Sequence, residues 1–225
     1  GGSTGPEELR YYYEPISPRK RDGRDPGEVM SDPQEVLCAH FDRYLPLDEA
    51  GRTALKERSR VRRLKRRGFL LQEGEVCRSY AYVVEGCLRM YEMDAKGVEH
   101  NLQFALENEW IVDIGSFHAE KPSSLFIEAL EPSVVVCIEH ADLLHLYTEH
   151  PKFDRNFRVI IEDQFVELQQ RLLRRNASSA EQRYAHFVEQ HPELAARVPN
   201  VHIASYLGVT PEFLSRLRAK TARPS

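Results

Sequence analysis

The sequence has no long apolar run: no stretch approaches the roughly 18 apolar residues that a membrane-spanning helix needs. It has only four cysteines in 225 residues, and no two of them have the spacing of a zinc-ligand or redox pair. These absences argue against a membrane protein, a disulfide-stabilised secreted domain and a cysteine-based zinc module. No apolar segment typical of a signal peptide follows the first residues, so we predict a cytoplasmic protein with reduced thiols.

The charge of the chain is unevenly distributed. The 225 residues, 41% of them hydrophobic, suffice for one or two domains with a real core, and the net charge is −4. Residues 97–149 hold ten Asp or Glu and a single base, Lys121, whereas residues 197–225 hold five Arg or Lys and one acid, Glu212. The acidic segment would repel DNA, so a DNA-binding function, if present, must lie in the C-terminal segment.

The first part of the chain contains a predicted tail and two short helices. Residues 1–29 are interpreted as a disordered tail or tag, because Gly, Pro, Arg and Asp dominate there. A capping box, Ser31-x-x-Gln34, predicts the first helix, and Asp48 caps a second one. The segment Arg52–Arg67 has nine basic residues and one acid. It is either a phosphate-contacting patch or, as we favour, a solvated helix followed by an edge strand.

From Gly68 onward the periodicity changes from helical toward alternation. Turn residues such as Glu85-Gly86 and Glu131-Pro132-Ser133 separate short apolar segments at nearly regular spacing. This pattern predicts an antiparallel sandwich or barrel. The predicted strands are 69–71, 79–84, 87–91, 99–104, 110–114, 125–130 and 134–138.

A long helical pattern follows, from Asp142 to about Arg175. Its apolar residues recur at steps of three and four, and the stripe is long for a helix that only covers a small barrel. We therefore predict that it pairs with its twin in a homodimer. The alternative is a core-covering helix without a partner. The predicted interface residues are Phe157, Ile161, Phe165, Leu168 and Leu172.

Residues 201–220 predict two short helices joined by a tight turn. Gly208 tolerates the positive φ of a helix end, Thr210 is a good N-cap and Pro211 suits the first helical position. Ala204 is small where a second helix must cross closely. This order is typical of a helix-turn-helix, whose second helix enters the major groove of DNA. The alternative is a helical hairpin with a solvated outer face.

The second helix of this pair has a polar face away from its apolar stripe. Arg216 can bond guanine bidentately, and Glu212 can accept a hydrogen bond from cytosine. Arg218 and Lys220 lie nearer the helix end, where phosphate contacts are expected. The predicted DNA-binding residues are Thr210, Glu212, Ser215, Arg216, Arg218 and Lys220.

A barrel, a long helix and a C-terminal helix-turn-helix, in this order, resemble the Crp/Fnr family of bacterial transcription factors. The resemblance covers about Met30 to Lys220, and its most specific motifs are Val83-Val84-Glu85-Gly86, Ile127-Glu128-Ala129-Leu130-Glu131 and Thr210–Arg216. It implies an α+β fold with an N-terminal antiparallel β-roll, jelly-roll-like and of the cyclic-nucleotide-binding type, at residues 30–150. A dimerisation helix at 151–176 and a reduced winged helix-turn-helix at 177–225 would follow.

The resemblance also implies a function. The expected protein is a homodimer that reads an inverted-repeat operator in double-stranded DNA, with RNA polymerase as a further partner. Glu212 and Arg216 correspond to the base-reading pair of the family, and Ser215 matches its nitrate-regulator branch. A membrane partner is not expected.

The sequence departs from the family where cyclic-nucleotide binders hold the phosphate. Gly115 is in place, but Ser116 follows it instead of Glu, and Ser123-Ser124 replaces an Arg-Ser pair. Lys121 is the only cation left in this candidate effector pocket, and a buried phosphate needs a fixed positive partner. We therefore predict that cyclic AMP is not the effector, and an unknown small molecule remains possible. The wing is reduced to a potential strand at 197–201.

Two other functions compete with this hypothesis. A cupin-like enzyme would need clustered His and Glu ligands for a metal, but only His100 and His118 lie near strands, and no His-x-His occurs. We predict no enzyme activity, no catalytic residue, no metal site and no cofactor. The remaining alternative is a ligand-sensing module that acts through protein partners without DNA recognition.

Overall fold

The computed structural model describes residues 32–221, so the predicted tail and Ser31 lie outside the described part of the chain. Helix α1 (Pro33–Phe41) is capped by Asp32, whose carboxylate accepts a hydrogen bond from Gln34 N–H at 3.1 Å. Asp32 therefore takes the role predicted for Ser31. Helix α2 (Glu49–Glu57) follows and is capped by Asp48, as predicted.

Two antiparallel four-stranded sheets form the β-roll, which confirms the predicted α+β class. The strand order is β1-β8-β3-β6 in the first sheet and β2-β7-β4-β5 in the second. All seven predicted strand segments are present, and their ends differ from the prediction by at most three residues. The strands are β1 (Ser59–Leu64), β2 (Phe69–Leu71), β3 (Ser79–Glu85), β4 (Leu88–Met93), β5 (Glu99–Ala105), β6 (Trp110–Ile111), β7 (Leu125–Ala129) and β8 (Ser133–Glu139).

The basic segment Arg52–Arg67 forms the end of α2, the edge strand β1 and a turn, as the favoured interpretation predicted. Its helical cations are neutralised within the chain: Lys56 pairs with Glu35, and Arg58 bonds Asp142 at 2.9 Å. The four central residues of β1 are exposed. This segment is therefore mainly a solvated edge.

The turn between β3 and β4 explains one of the sequence motifs. Gly86 has φ +99°, and a Cβ added there would lie 2.2 Å from Ser133 Oγ and 2.8 Å from the carbonyl oxygen of Pro132. Only glycine combines this backbone conformation with so close an approach. The Val83–Gly86 motif thus marks a tight crossing of two turns.

The predicted strand 110–114 is too long. It ends at Ile111, and a short helix, α3 (Ile114–Ala119), begins three residues later. The reason is Asp113, whose carboxylate accepts hydrogen bonds from the N–H groups of Gly115 and Ser116, both at 3.1 Å. An aspartate in this position starts a helix rather than continuing a strand.

A cluster of aromatic rings fills the roll and joins it to the long helix. Phe157 is 1% exposed, and its ring centroid lies 5.2 Å from that of Trp110 and 5.4 Å from that of Tyr80. Phe157 was predicted to face a partner subunit, but it is part of the core of its own chain. The apolar stripe of the helix therefore has two parts: residues up to Phe157 pack in the core, and those from Phe165 onward are exposed.

Helices α4 (His140–Glu149) and α5 (Pro151–Ala177) account for the long helical pattern, which Pro151 divides. The first half of α5 covers the roll, whereas its second half carries large apolar side chains that no part of the described chain covers. Phe165, Leu168 and Leu172 are 57%, 42% and 51% exposed, and Ile161 is half-buried. In the described chain, no helix is long and apolar enough to cross a bilayer.

Four helices follow: α6 (Ala180–Gln190), α7 (Pro192–Arg197), α8 (Asn200–Leu207) and α9 (Pro211–Thr221). Ser179 and Gln182 form the capping box of α6, and the preceding Ser178 is the C-cap of α5. Residues 178–221 contain no strand, so the predicted wing strand at 197–201 is wrong. Pro199 instead serves as the N-cap of α8.

The four cysteine thiols are buried and unpaired.

Candidate nucleic-acid interface

The turn between α8 and α9 has the geometry that its sequence predicted. Gly208 is left-handed, with φ +68°, and its N–H bonds the carbonyl oxygens at the end of α8. Thr210 Oγ1 accepts a hydrogen bond from Phe213 N–H at 3.2 Å, which caps α9 immediately before Pro211. The two caps stop one helix and start the next within three residues.

The two helices are locked together by a small apolar seam. Ile203, Ala204 and Leu214 are fully buried, and Leu207 is nearly so. Since α9 lies directly on α8, a larger residue at Ala204 would push the helices apart. The seam fixes which face of α9 points away from the protein.

Three of the predicted reading residues lie on that outward face. The side chains of Glu212, Ser215 and Arg216 are exposed, and none of these side chains has a hydrogen bond or ion pair to another residue between 32 and 221. Lys220 is also exposed. Acceptor, hydroxyl and guanidinium groups on one free helix face match what base edges in the major groove require.

Arg218 has a different place from the one predicted. Its guanidinium is half-buried, bonds Asn200 Oδ1 and reaches the carbonyl oxygen of Ala195 at 3.4 Å. These contacts tie α9 to the start of α8 and to α7. The side chain therefore stabilises the helix packing instead of standing free for a phosphate.

Two serines of the candidate effector pocket make hydrogen bonds within their own loop. Ser123 Oγ donates to Asp113 Oδ2 at 2.6 Å, and Ser116 Oγ donates to the carbonyl oxygen of Lys121 at 2.6 Å. Gly115, Lys121 and Ser124 are exposed. The residues predicted to surround a ligand thus mainly hold one loop together.

Asp113, which was not among the predicted site residues, accepts most of the hydrogen bonds that hold this loop together. Its carboxylate accepts two backbone N–H groups of α3 and the hydroxyl of Ser123. An anion from outside would have to compete with this internal carboxylate for the same donors. The signal in the sequence was an aspartate two residues before Gly115, a common helix-capping arrangement.

The first helix of the pair, α8, packs on the edge strand of the second sheet. Ser205 Oγ accepts a hydrogen bond from Asn101 N–H at 2.9 Å and donates to the carbonyl oxygen of Glu99 at 2.7 Å. Beside it, His202 Nδ1 lies 2.9 Å from Nη1 of Arg89, which is 4% exposed. Because Arg89 can only donate, His202 is neutral in this contact.

Charged groups from three strands surround His202. Arg89 on β4 bonds Glu128 on β7, with 2.9 Å between Nε and Oε2, and it also bonds Glu99 on β5. Glu99 lies 3.9 Å from His202. Burial and the nearby Arg89 lower the pKa of His202, although the two carboxylates oppose this shift.

We expect the free energy of unfolding to decrease as the pH falls from about 6.5 to 5. Burial lowers the pKa values of His118, His186 and His202, so the unfolded chain takes up protons in this range before the folded chain does. His186 and His202, which are partly buried, can each contribute at most about 1.4 kcal/mol per pH unit. The exposed His118 contributes less, because solvent screens its charge. Urea unfolding at pH 7 and pH 5.5 measures the loss.

The variant His202→Gln should lose less stability over this pH range than the unmodified chain. Glutamine does not titrate, and the carboxylates with lowered pKa values, such as Glu99 and Glu107, act only below about pH 4.5. An unchanged pH dependence in this variant would contradict the assignment to His202.

The two histidines near barrel strands have partners within the chain. His100 bonds Asp94 at 3.0 Å, and the ring of His118 stacks edge-on against that of His140, with 5.7 Å between centroids. Among residues 32–221, no three His, Cys, Asp or Glu side chains come together in a metal-binding group. The arrangement thus offers no support for a cupin-like centre.

Comparison with known proteins agrees with this architecture. Residues 61–150 match the model of the cyclic nucleotide-binding domain. No curated protein matches the chain.

Solved structures extend the likeness to most of the chain. FixK2 from Bradyrhizobium japonicum is 18% identical with a TM-score of 0.64, over 72% of this chain and 83% of that one. The c-di-GMP-responsive global regulator CLP from Xanthomonas campestris is 15% identical with a TM-score of 0.63, over 77% and 91%. A CooA mutant from Carboxydothermus hydrogenoformans is 18% identical with a TM-score of 0.62, over 85% and 84%. At these identities the likeness shows a shared fold.

Proposed function

We propose that this chain is a homodimeric, sequence-specific DNA-binding regulator of transcription. It has the Crp/Fnr-like architecture of a cyclic nucleotide-binding-type β-roll followed by a long helix and a helical C-terminal part. One observation carries the proposal. The correctly capped helix α9 leaves Glu212, Ser215 and Arg216 together on a free outward face. The proposed role is regulatory rather than catalytic, in the cytoplasm, with RNA polymerase as a further partner.

The second half of α5 supports a homodimer. Phe165, Leu168 and Leu172 recur at steps of three and four and are exposed on the second half of the helix. Such a heptad-like stripe pairs well with a copy of itself. Two copies related by a two-fold axis would present two α9 helices to the inverted repeat expected of the operator, with half-sites about one helical turn apart.

Selection of DNA by the full chain tests the proposal. Random duplexes or genomic fragments bound by the protein should share an inverted repeat, and the variant Arg216→Ala should lose the enrichment. Failure to enrich any sequence, despite a folded protein, would refute sequence-specific binding. That result would favour a ligand-sensing module that acts through protein partners.

Cyclic AMP is expected not to bind with micromolar affinity. The donors of the candidate pocket already bond Asp113, and the nearby cation, Lys121, is exposed on the loop. Isothermal titration calorimetry of the full chain at micromolar protein concentration measures this directly. A clear micromolar isotherm would contradict the prediction and would mean that Asp113 yields its donors to the phosphate. An effector of another chemical class stays compatible with the proposal.

A further inference from the structure

An apolar cluster fastens the helix-turn-helix to the roll of its own chain. It combines residues of the roll with residues of α6, α7, α8 and α9. The rings of Phe104 and Tyr206 have centroids 5.2 Å apart, and Cys87 is 1% exposed within the cluster. The buried members are Cys87, Phe104, Leu106, Tyr184, Phe187, Leu194, Ala195, Val198, Ile203, Ala204, Leu207 and Leu214. The C-terminal helices are therefore docked on the roll and not merely tethered to it.

The docked helix α8 and the second half of α5 together cover the free edge of β5. Ser205 bonds the N–H of Asn101 and the carbonyl oxygen of Glu99, and Arg171 donates to the carbonyl oxygen of Leu102. An edge strand otherwise presents such groups to solvent. This contact gives the docked position a defined register.

Carboxylates of the roll hold a cation that lies just before the helix-turn-helix. Arg197 bonds Glu107 bidentately, with Nη1–Oε2 at 2.8 Å and Nη2–Oε1 at 2.9 Å, and it also bonds Glu131. Burial raises the pKa of Glu107, but the hydrogen bonds from Arg197 and from the N–H groups of Glu107 and Gly86, together with the charge of Arg197, outweigh burial and hold that pKa below its ordinary value. A bidentate guanidinium contact of this kind is also the one that DNA phosphates accept.

The docked position has a polar defect. The side-chain amide of Asn101, beside Ser205, is buried, and neither its Nδ2 nor its Oδ1 atom has a hydrogen-bond partner. A buried amide without partners disfavours the state that contains it, because water would satisfy both atoms on opening. Ion pairs and apolar packing thus stabilise the docked state, whereas the buried amide of Asn101 destabilises it. This opposition favours a contact that can open reversibly.

We propose that this contact is autoinhibitory: Glu107 and Glu131 act as internal phosphate mimics that retain Arg197 and hold α8 against the roll, so that DNA binding requires the helices to undock. The first helix of a helix-turn-helix normally crosses the DNA backbone, and here one face of α8 is occupied by β5. Docking also keeps the acidic roll beside the basic C-terminal segment. The inference rests on the proposed DNA-binding function.

The double variant Glu107→Gln/Glu131→Gln tests the contact. A matched control, Glu92→Gln/Glu139→Gln, removes the same charge from two exposed sites on other strands of the roll. Undocking is measured by the alkylation rate of Cys87, read by mass spectrometry of the full chain. The thiols of Cys38, Cys77 and Cys137 lie in the core of the roll and report any general unfolding.

The double variant should label Cys87 at least about fivefold faster, with unchanged protection of the other thiols, and should bind DNA at least about fivefold more tightly. The DNA is a duplex selected by the unmodified protein, with a random duplex of equal length for comparison. The control variant should change neither quantity by as much.

Three results would overturn the inference. The first is an unchanged Cys87 rate, which would show that these carboxylates do not hold the contact. The second is faster labelling without tighter DNA binding, which would show that docking does not inhibit. The third is an equal gain in Cys87 labelling and DNA affinity in the control variant, which would show that the change in net charge alone causes the effect. Absence of DNA binding in every variant would refute the proposed function itself, and Cys87 labelling would then still show whether the carboxylates hold the helices.

Discussion

Replacing Leu168 with glutamate is expected to convert the proposed dimer into monomers. Leu168 lies in the middle of the exposed stripe on α5, between Phe165 and Leu172. In a symmetric helix pair each subunit would bury one new carboxylate next to the same carboxylate of the other subunit, and no positive charge would compensate either of them. Burial of an unpaired charge costs several kcal/mol, roughly a thousandfold or more in the dimerisation constant. Sedimentation velocity across a concentration series measures the shift.

A matched control separates dimerisation from helix stability. Gln170→Glu adds the same charge two residues later, on the opposite side of α5, where its side chain is exposed and near Arg174. This variant should stay dimeric, and both variants should keep the circular dichroism of the unmodified chain. A fully dimeric Leu168→Glu protein would refute the proposed interface. Loss of the dimer in both variants would mean that charge anywhere on this helix disrupts it.

Replacing Arg216 with alanine is expected to relax base preference at one position of each half-site. The Arg216 side chain is free on the outward face of α9, where a guanidinium can bond guanine through two hydrogen bonds. Loss of one such contact costs about 1–3 kcal/mol, or roughly 5- to 150-fold in affinity for the preferred site. Affinities for a library of single-base half-site variants measure both the loss and its position.

Lys220→Ala provides the contrast, because Lys220 is exposed near the end of the same helix. A lost phosphate contact should weaken binding to all sequences alike and reduce the slope of log affinity against log salt by about 1 for each contact. Arg218 is unsuitable for this comparison, since its side chain holds α9 against Asn200. If Arg216→Ala also weakened every sequence equally, α9 would not be the reading helix.

The sequence by itself determined the elements and their order. Turn residues and alternation located seven strands because strand and turn geometry depend on neighbouring residues. The helix-turn-helix was predictable for the same reason: Gly208, Thr210 and Pro211 each act on the backbone within a few residues of themselves. The missed short helix α3 was also locally encoded, by Asp113, which was not recognised as its cap.

Only the tertiary structure decided what each side chain touches. Phe157 and Phe165 belong to one helical stripe, yet the first packs against the ring of Trp110 in the core and the second is exposed. Arg216 and Arg218 are two residues apart, but only Arg218 meets Asn200. The contact of Arg197 with Glu107 joins residues 90 positions apart. Such pairings depend on how distant segments meet in space, and no local periodicity encodes them.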